Sequence, residues 1–424
     1  MRPILSSFFV VLLLVVEPAS AQEAIDKQVD SLSEQVEALT ELLESLQGVV
    51  ERQQDRIEAL EEENADLLGE GESEVVEEFS PPDSPEGVPT ATEPRISQSL
   101  NPDIGVVVDL VGSFTESGED EEGNDRLSVR EMELTIGHDI DPYARFDSTI
   151  TLSDFEEVTV EEAYVTFWGL PWELQARAGR MRPKVGKATA LHRDELDTVD
   201  EPLVVQRYLG IEGLFLTGVE VSRFLPQFIE PLSQELTLGV MEGGIGEDGS
   251  LFGETRRHPT YFGHLKNSWD FSPATNLELG GTYLLGSSDE DNREDVQALG
   301  VDLSLRRNFA SSRALKWQSE LYAQDRDDAA INKSPWGYYS LVDYRFASRW
   351  GLGGRYDWVE LVNPDPADSD DKDKAYSAFV TFYQSEFARL RVQYQHADLA
   401  TGERDNRFFF QGTFAVGVHK HKIQ

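Results

Sequence analysis

The sequence predicts an all-β transmembrane barrel of about 16 antiparallel strands, preceded by an N-terminal α-helical coiled coil. Three observations predict this fold: a short apolar segment at the N-terminus, a heptad repeat after it, and a long series of short alternating strands. We therefore divide the chain into a signal peptide (1–21), a coiled coil (22–68), a disordered linker (69–100) and a β-barrel (101–424).

Composition excludes several classes of protein before any motif is considered. The chain has 424 residues, a formal charge of −42 and a mean hydropathy of −0.41. Residues 1–100 hold 5 basic and 23 acidic side chains, and the remainder holds 32 and 56. Both parts are acidic, so nucleic acid is not expected as a partner. The chain has no cysteine, which excludes disulfides and thiolate metal sites.

The first 21 residues have the pattern of a secretory signal peptide. Arg2 supplies a positive charge, an apolar stretch runs from Phe8 to Val16, and Ala19-Ser20-Ala21 forms a cleavage site. The apolar stretch is shorter than the roughly 20 residues that a membrane-spanning helix needs. An uncleaved anchor is the alternative. A mature protein that enters a membrane must then do so as a closed barrel.

Residues 22–68 carry a continuous heptad repeat. The apolar core positions expected to hold the oligomer together are Val29, Leu32, Val36, Leu39, Leu43, Leu46, Val50, Ile57 and Leu60. Their spacing alternates between four and three residues, as in a left-handed coiled coil. A helix cannot bury this seam alone, so we expect a homo-oligomer. The core residues favour two strands, whereas a trimer is the state that we prefer. A single helix docked on its own barrel is the alternative.

The next segment, 69–100, contains Gly, Glu and Ser, a cluster of five prolines, few aromatic residues and no apolar period. This composition is typical of an extended spacer without a packed core.

Residues 101–424 read as sixteen strands, the first near 104–114 and the last near 407–418. In the segment 390–395, Leu390, Val392 and Tyr394 alternate with Arg391, Gln393 and Gln395. Such period-2 segments of about ten residues are the signature of a membrane barrel. The first set should face lipid and the second set the lumen. A soluble sandwich or soluble barrel is the alternative.

The connections between these strands alternate in length, which predicts how the barrel is oriented. Short turns, such as 139–142 and 272–274, should face the periplasm, and long acidic loops, such as 287–295 and 363–373, the exterior. Aromatic residues near the strand ends fit the girdles of a membrane interface. The tryptophans among them are Trp168, Trp172, Trp269, Trp336, Trp350 and Trp358.

Three motifs in the barrel region resemble Gram-negative outer-membrane porins related to the phosphate-selective porin O/P family. They are the opening strand at Asn101–Phe114, Glu161–Val165 continuing to Gly186, and the charged segment from Leu191 to Leu214. The third also resembles a branch labelled a metal-regulated outer-membrane receptor. The resemblance covers 101–424 and implies a porin in the bacterial outer membrane, in contact with its lipid and with the N-terminal region in the periplasm.

Two features depart from that family pattern. The chain ends in His419-Lys420-His421-Lys422-Ile423-Gln424, whereas many outer-membrane barrels end in an aromatic residue. The acidic balance of the barrel also opposes a phosphate channel, because such a pore needs basic residues along its wall.

The longest segment without alternation, 182–213, is the candidate functional site. We expect it to fold into the lumen or to cover one mouth, with opposed basic and acidic sides that form a pore constriction, since charges in a narrow pore set ion selectivity. A solvated loop with internal ion pairs is the alternative. The candidate constriction residues are Arg177, Arg180, Arg182, Lys184, Lys187, Arg193, Asp194, Glu195, Asp197 and Asp200.

The sequence offers little to indicate chemistry. His419 and His421 lack an identifiable third ligand, so we expect no metal site and no cofactor. No catalytic constellation occurs, so an enzyme is not expected. The favoured function is diffusion of small hydrophilic solutes or ions, with a coiled coil that oligomerises or spaces the barrel. The alternatives are an envelope tether, with the cell wall as a candidate partner, and a metal-related receptor.

Overall fold

A computed structural model describes residues 102–116, 125–154, 157–211, 213–227, 229–243, 251–252, 258–289, 294–309, 312–328, 332–365 and 370–417. The predicted signal peptide, coiled coil and linker, and the terminal His/Lys tail, lie outside the described residues. No helix within the described ranges is long and apolar enough to cross a membrane.

Sixteen antiparallel strands form one closed barrel, which confirms the predicted strand number. The strands are β1 (Asp103–Thr115), β2 (Arg126–Asp141), β3 (Ala144–Ser153), β4 (Glu157–Leu170), β5 (Leu174–Met181), β6 (Leu216–Phe224), β7 (Leu232–Met241), β8 (Thr260–Ser272), β9 (Thr275–Ser287), β10 (Asp295–Phe309), β11 (Arg313–Arg326), β12 (Trp336–Ala347), β13 (Trp350–Glu360), β14 (Lys372–Ser385), β15 (Ala388–Asp398) and β16 (Arg404–Gly417). Each strand pairs with its neighbours in sequence, and β1 closes the barrel on β16 with Val108 opposite Phe414. Closure leaves no unpaired edge.

The two faces of the wall separate as the alternation predicts. On β15, Val392 is 46% exposed on the outer face, whereas Gln393 is fully buried on the inner face. The same alternation runs along β16, where Phe408 and Phe410 are exposed and Phe409 is buried. Apolar side chains therefore cover the outside, and the inside is largely polar or charged.

Aromatic side chains cluster on the outer face near the end of the barrel where the connections are long. The ring centroids of Trp336 and Trp358 lie 4.2 Å apart, and Tyr356 and Tyr376 continue the cluster onto β14 with a 4.9 Å separation. This arrangement agrees with the expected interfacial girdle.

The long connection between β5 and β6 folds into the barrel. It contains one short helix, α1 (Leu203–Tyr208), which packs against β12, β13 and β14. A short 3-10 turn at Arg193–Glu195 precedes it. We call residues 182–213 the lumen loop. Its position inside the wall makes the inner side chains of the barrel its binding partners.

Candidate functional site

The lumen loop is held partly by an apolar core inside the barrel. Its side chains at Val185, Val204, Val205 and Leu209 have no exposed surface. They join a cluster with wall residues such as Phe379 on β14. Burial of each such side chain contributes about 1.5–3 kcal/mol. The loop is therefore packed like the interior of a soluble domain rather than solvated.

The basic first part of the loop faces an acidic wall. The backbone N–H of Arg182 donates to Glu162 Oε1 at 3.0 Å, and its guanidinium lies 3.5 Å from Glu161 Oε2. Lys184 Nζ lies 3.1 Å from Glu235 Oε1 on β7. Each cation of this part thus meets a carboxylate of the wall.

The same pattern continues at Lys187 toward the middle of the barrel. Its Nζ lies 2.5 Å from Glu278 Oε2 and 3.5 Å from Asp302 Oδ1. The backbone approaches β11 closely here, because the N–H of Ala188 donates to Glu320 Oε1 at 2.6 Å. Gly186 has a φ of +65°, and a Cβ there would collide with the Glu320 carboxylate. Only glycine combines this backbone conformation with this contact.

The acidic second part of the loop faces a basic wall. Lys316 Nζ lies 2.5 Å from Asp197 Oδ2. Arg389 donates to the backbone carbonyl of Asp194, and Arg391 Nη1 donates to that of Leu196 at 2.8 Å. The pKa of Asp197 is lowered because the neighbouring Lys316 outweighs the effect of burial, which alone would raise it. The lumen loop therefore places its cations against an acidic side of the wall and its anions against a basic side.

Arg355 on β13 makes the most extensive of these contacts. Its Nη2 donates to Asp200 Oδ2 at 2.6 Å, and its Nη1 donates to Thr198 Oγ1 at 2.6 Å and to the Asp200 carbonyl at 2.7 Å. Its Nε donates to Asp357 Oδ2 at 2.7 Å, and neither side chain of this wall pair has any exposed surface. Burial raises the pKa of Asp200, but Arg355 outweighs it, so the net shift is downward.

His192 lies in a buried acidic cluster between the loop and the strands β2 and β4. Its Nε2 is 3.1 Å from Glu162 Oε2, and its Nδ1 is 3.3 Å from Glu161 Oε2 and 3.8 Å from Glu133 Oε1. Burial alone would lower the pKa of His192, but these carboxylates raise it well above the ordinary value. The imidazolium form is thus favoured by its neighbours. The described residues contain no group of His, Asp or Glu side chains arranged to hold a metal ion.

Glu201 is buried without a hydrogen-bond partner for its carboxylate within the described part of the chain. Burial raises its pKa to about 7, although Arg182, Arg193, Arg130 and Arg355 oppose the shift. The pKa of this carboxyl group therefore lies near neutral pH.

The end of the loop is fixed to the wall near the long connections. Arg207 Nη2 lies 2.6 Å from Asp373 Oδ2, and the hydroxyl of Tyr208 donates to the Glu360 carbonyl at 2.7 Å. These contacts hold helix α1 against β13 and β14. The loop thus has wall contacts along its length, from β2 around to β15.

The structure brings together most of the residues expected at the constriction. Arg182, Lys184, Lys187, Asp197 and Asp200 all lie on the loop, with their charged groups toward the wall. The remaining loop residues are Arg193, Asp194 and Glu195, which form the 3-10 turn. The Oε2 of Glu195 accepts a hydrogen bond from the backbone N–H of His192 at 3.1 Å.

Two of the expected residues lie on β5 itself and occupy opposite faces. Arg177 points inward, with its Nε 2.7 Å from Glu220 Oε1. The side chain of Arg180 lies on the other face of the strand, where its Nη1 is 4.0 Å from Glu242 Oε1. The structure thus separates Arg180 from the contacts of the loop.

Sequence reasoning did not find the wall residues that hold the loop. The main ones are Glu220, Glu235, Glu278, Lys316, Arg355, Asp357, Arg389 and Arg391. A signal was available, because each is a charged residue at an inward position of an alternating strand. The apolar content of the loop was a second signal, since a solvated loop does not need Val204, Val205 and Leu209.

No protein-family model matches the chain. Among solved structures, OprB of Pseudomonas putida matches with a TM-score of 0.52 and 10% identity, over 74% of this chain and 94% of that one. The anion-selective porin of Comamonas acidovorans matches at 0.51 and 12% identity, over 74% and 99%. The outer membrane channel DcaP of Acinetobacter baumannii matches at 0.51 and 10% identity, over 74% and 97%. At such low identity these likenesses show the fold.

A closer relationship is found in sequence. An uncharacterized protein of Aquifex aeolicus (strain VF5) is 30% identical over 328 residues, which cover 69% of this chain and 69% of that protein. By this relationship the chain belongs to one family with the Aquifex aeolicus protein.

Proposed function

We propose that the protein is a porin of the bacterial outer membrane that lets small hydrophilic solutes or ions diffuse through its barrel. The observation that carries this proposal is a closed barrel of 16 strands with an apolar outer face and a charged interior. Such a wall suits lipid outside and water inside. The barrel fold shared with OprB and DcaP supports the same function.

We further propose that the lumen loop sets the conductance and the ion selectivity. The loop carries cations toward one wall and anions toward another, so its position determines which charges border the remaining passage. The residues from Arg177 to Asp200 predicted for the constriction, with the exception of Arg180, would then act through the fixed position of the loop. This differs from an open ring of unpaired charges, because most of these groups have wall partners.

The test is single-channel recording of the purified full chain in planar lipid bilayers under a salt gradient. Stepwise conductance is expected, and the sign of the reversal potential reports the selectivity. The charge-reversal variants Arg182→Glu and Lys184→Glu should change both quantities. A matched control is Arg180→Glu, because that residue lies on the opposite face of β5. If the loop variants conduct like the control, the loop does not set the selectivity.

The finer parts of the proposal come from the sequence. The heptad core from Val29 to Leu60 would join three copies, and the linker would span the periplasm toward the cell wall. Relationship to the phosphate-selective porin O/P family rests on the quoted motifs, such as Glu161–Val165. Cross-linking of the protein in cells, followed by gel analysis, tests the trimer.

An envelope tether is the second candidate, and one observation favours it. The lumen loop contacts wall residues from β2 around to β15, and its apolar side chains pack into a core inside the barrel. A barrel filled in this way serves as an anchor, with the coiled coil as the functional part. A folded oligomer that never conducts in planar bilayers would support the tether and refute the porin.

A further inference from the structure

A cavity opens inside the barrel at the end where the connecting turns are short. Its volume is about 330 Å³. Its charged lining is Arg306, Lys316, Arg345, Arg389, Glu195, Asp197 and Asp343, and its apolar lining includes Leu191, Ala314, Leu315 and Tyr383. The site is therefore bounded by the lumen loop on one side and by strands β10, β11, β12, β14 and β15 on the other.

The charge around this cavity is opposite to that of the whole chain. Residues 306–316, 343–350 and 384–391, which flank three successive short turns, hold eight basic residues and two acidic ones, and the cavity lining itself holds four basic and three acidic side chains. The formal charge of the chain is −42. A local excess of cations in so acidic a protein concentrates anions at this mouth.

Of the four basic side chains that line the cavity, two form hydrogen bonds or ion pairs with the lumen loop and two, in the part of the chain that the structure describes, do not. Lys316 is paired with Asp197, and Arg389 donates to backbone carbonyls of the loop. Within the described residues, the side chain of neither Arg306 nor Arg345 forms a hydrogen bond or an ion pair, although Arg345 lies near the Asp343 carboxylate of the same lining. Arg345 instead stacks on the ring of Tyr383, with its Cζ 4.1 Å from the ring centroid. Stacking holds the guanidinium at the cavity lining without using its N–H donors.

We propose that this cavity binds a small organic carboxylate. The carboxylate would accept hydrogen bonds from Arg306 and Arg345, since the guanidinium group matches a carboxylate with two parallel bonds. The apolar body of the ligand would lie against Tyr383, Leu191 and Ala314. A cavity of this size is within the range of small-molecule sites, and its lining offers both charged and apolar side chains.

This inference assigns a class of solute to the proposed channel, and it therefore rests on the proposed function. Binding can nevertheless be measured without conduction. The experiment is titration calorimetry of the full chain in detergent at low salt, with benzoate as the probe. Benzamide is the neutral ligand of the same shape, and inorganic phosphate is an anion without an apolar body. We expect benzoate to bind at least about tenfold more tightly than either, because only benzoate supplies both features.

The variants Arg306→Gln and Arg345→Gln should each weaken benzoate binding by roughly tenfold or more. Arg307→Gln is the matched control, because Arg307 is the next residue on β10 and points to the outer face, where it stacks on Phe309. Equal binding of benzoate and benzamide by the unchanged protein would overturn the proposal, as would phosphate binding as tightly as benzoate. Benzoate binding by a protein that never conducts would leave this site standing and refute the channel. Conduction without benzoate binding would support the channel and overturn the proposed carboxylate site.

Discussion

Removal of Arg355 should release the middle of the lumen loop while the barrel stays assembled. The perturbation is Arg355→Met, which keeps an apolar side chain of similar length in the wall. It deletes the hydrogen bonds to Thr198 Oγ1, to the Asp200 carboxylate and carbonyl, and to the carbonyl of Glu201. It also leaves Asp200 and Asp357 without their cation.

The magnitude follows from the burial of this group. Removal of one partner of a buried ion pair costs about 3–5 kcal/mol, because the other charge stays buried and uncompensated. The cost falls on the contact between loop and wall, since the strands keep their backbone hydrogen bonds. An opening equilibrium of the loop should therefore shift on the order of 10² to 10³-fold.

Hydrogen–deuterium exchange with mass spectrometry, on protein in detergent micelles, measures that equilibrium. The amides of Val199 and Leu203 donate to Gln393 and Asp357 of the wall, so their exchange reports opening. Arg307→Met is the control, because Arg307 lies on the outer face. Exchange of the loop at the unchanged rate in Arg355→Met would refute the reasoning. The double variant Arg355→Met with Asp200→Asn should lose little more stability than Arg355→Met alone, because both substitutions remove the same Arg355–Asp200 ion pair.

Three further outcomes are expected. Because the folded state raises the pKa of Glu201 from 4.5 to about 7, the resulting stability is fully present below about pH 4.5 and is lost as the pH rises through 7. Glu201→Gln should therefore remove most of a change of about 3 kcal/mol in the free energy of unfolding between pH 5 and 8, measured by urea titration, and identical pH profiles would contradict this. Val392→Arg, at the centre of the outer face of β15, should cost about 2–4 kcal/mol of stability in lipid, whereas Thr401→Arg in the following loop should not. Leu39→Asp with Leu46→Asp should abolish the oligomer in cross-linking experiments while the barrel remains heat-modifiable, and a persistent oligomer would show that the heptads do not hold it.

Much of the fold could be read from the sequence because the signals are local. A strand of a membrane barrel is marked by the period of its own residues, so Val392 and Gln393 are assigned to opposite faces without knowledge of their neighbours. The strand order of a simple meander follows from the chain order. The bounds moved by a few residues, as in β16, which begins at Arg404 rather than near 407, because turn residues join the ladder once a partner strand is present.

The candidate site was predicted in position but not in its contacts. Absence of alternation together with dense charge singled out residues 182–213, and these features belong to the sequence alone. The partner of Asp200 could not be read in this way, since Arg355 is 155 residues away and is one of many inward-facing charges. Only closure of the barrel brings the two together.

The sequence by itself determined the approximate number of strands, the face of the side chains in the clearly alternating strands and the segment that leaves the wall, because period and composition act over a few residues. The tertiary structure alone decided that the cations of the loop meet the acidic wall and that its anions meet the basic wall. It also decided that Arg306 and Arg345 share a cavity, although they lie on different strands. Such pairings depend on the closed circumference of the barrel and on the packing of apolar residues within it, and no local pattern encodes either.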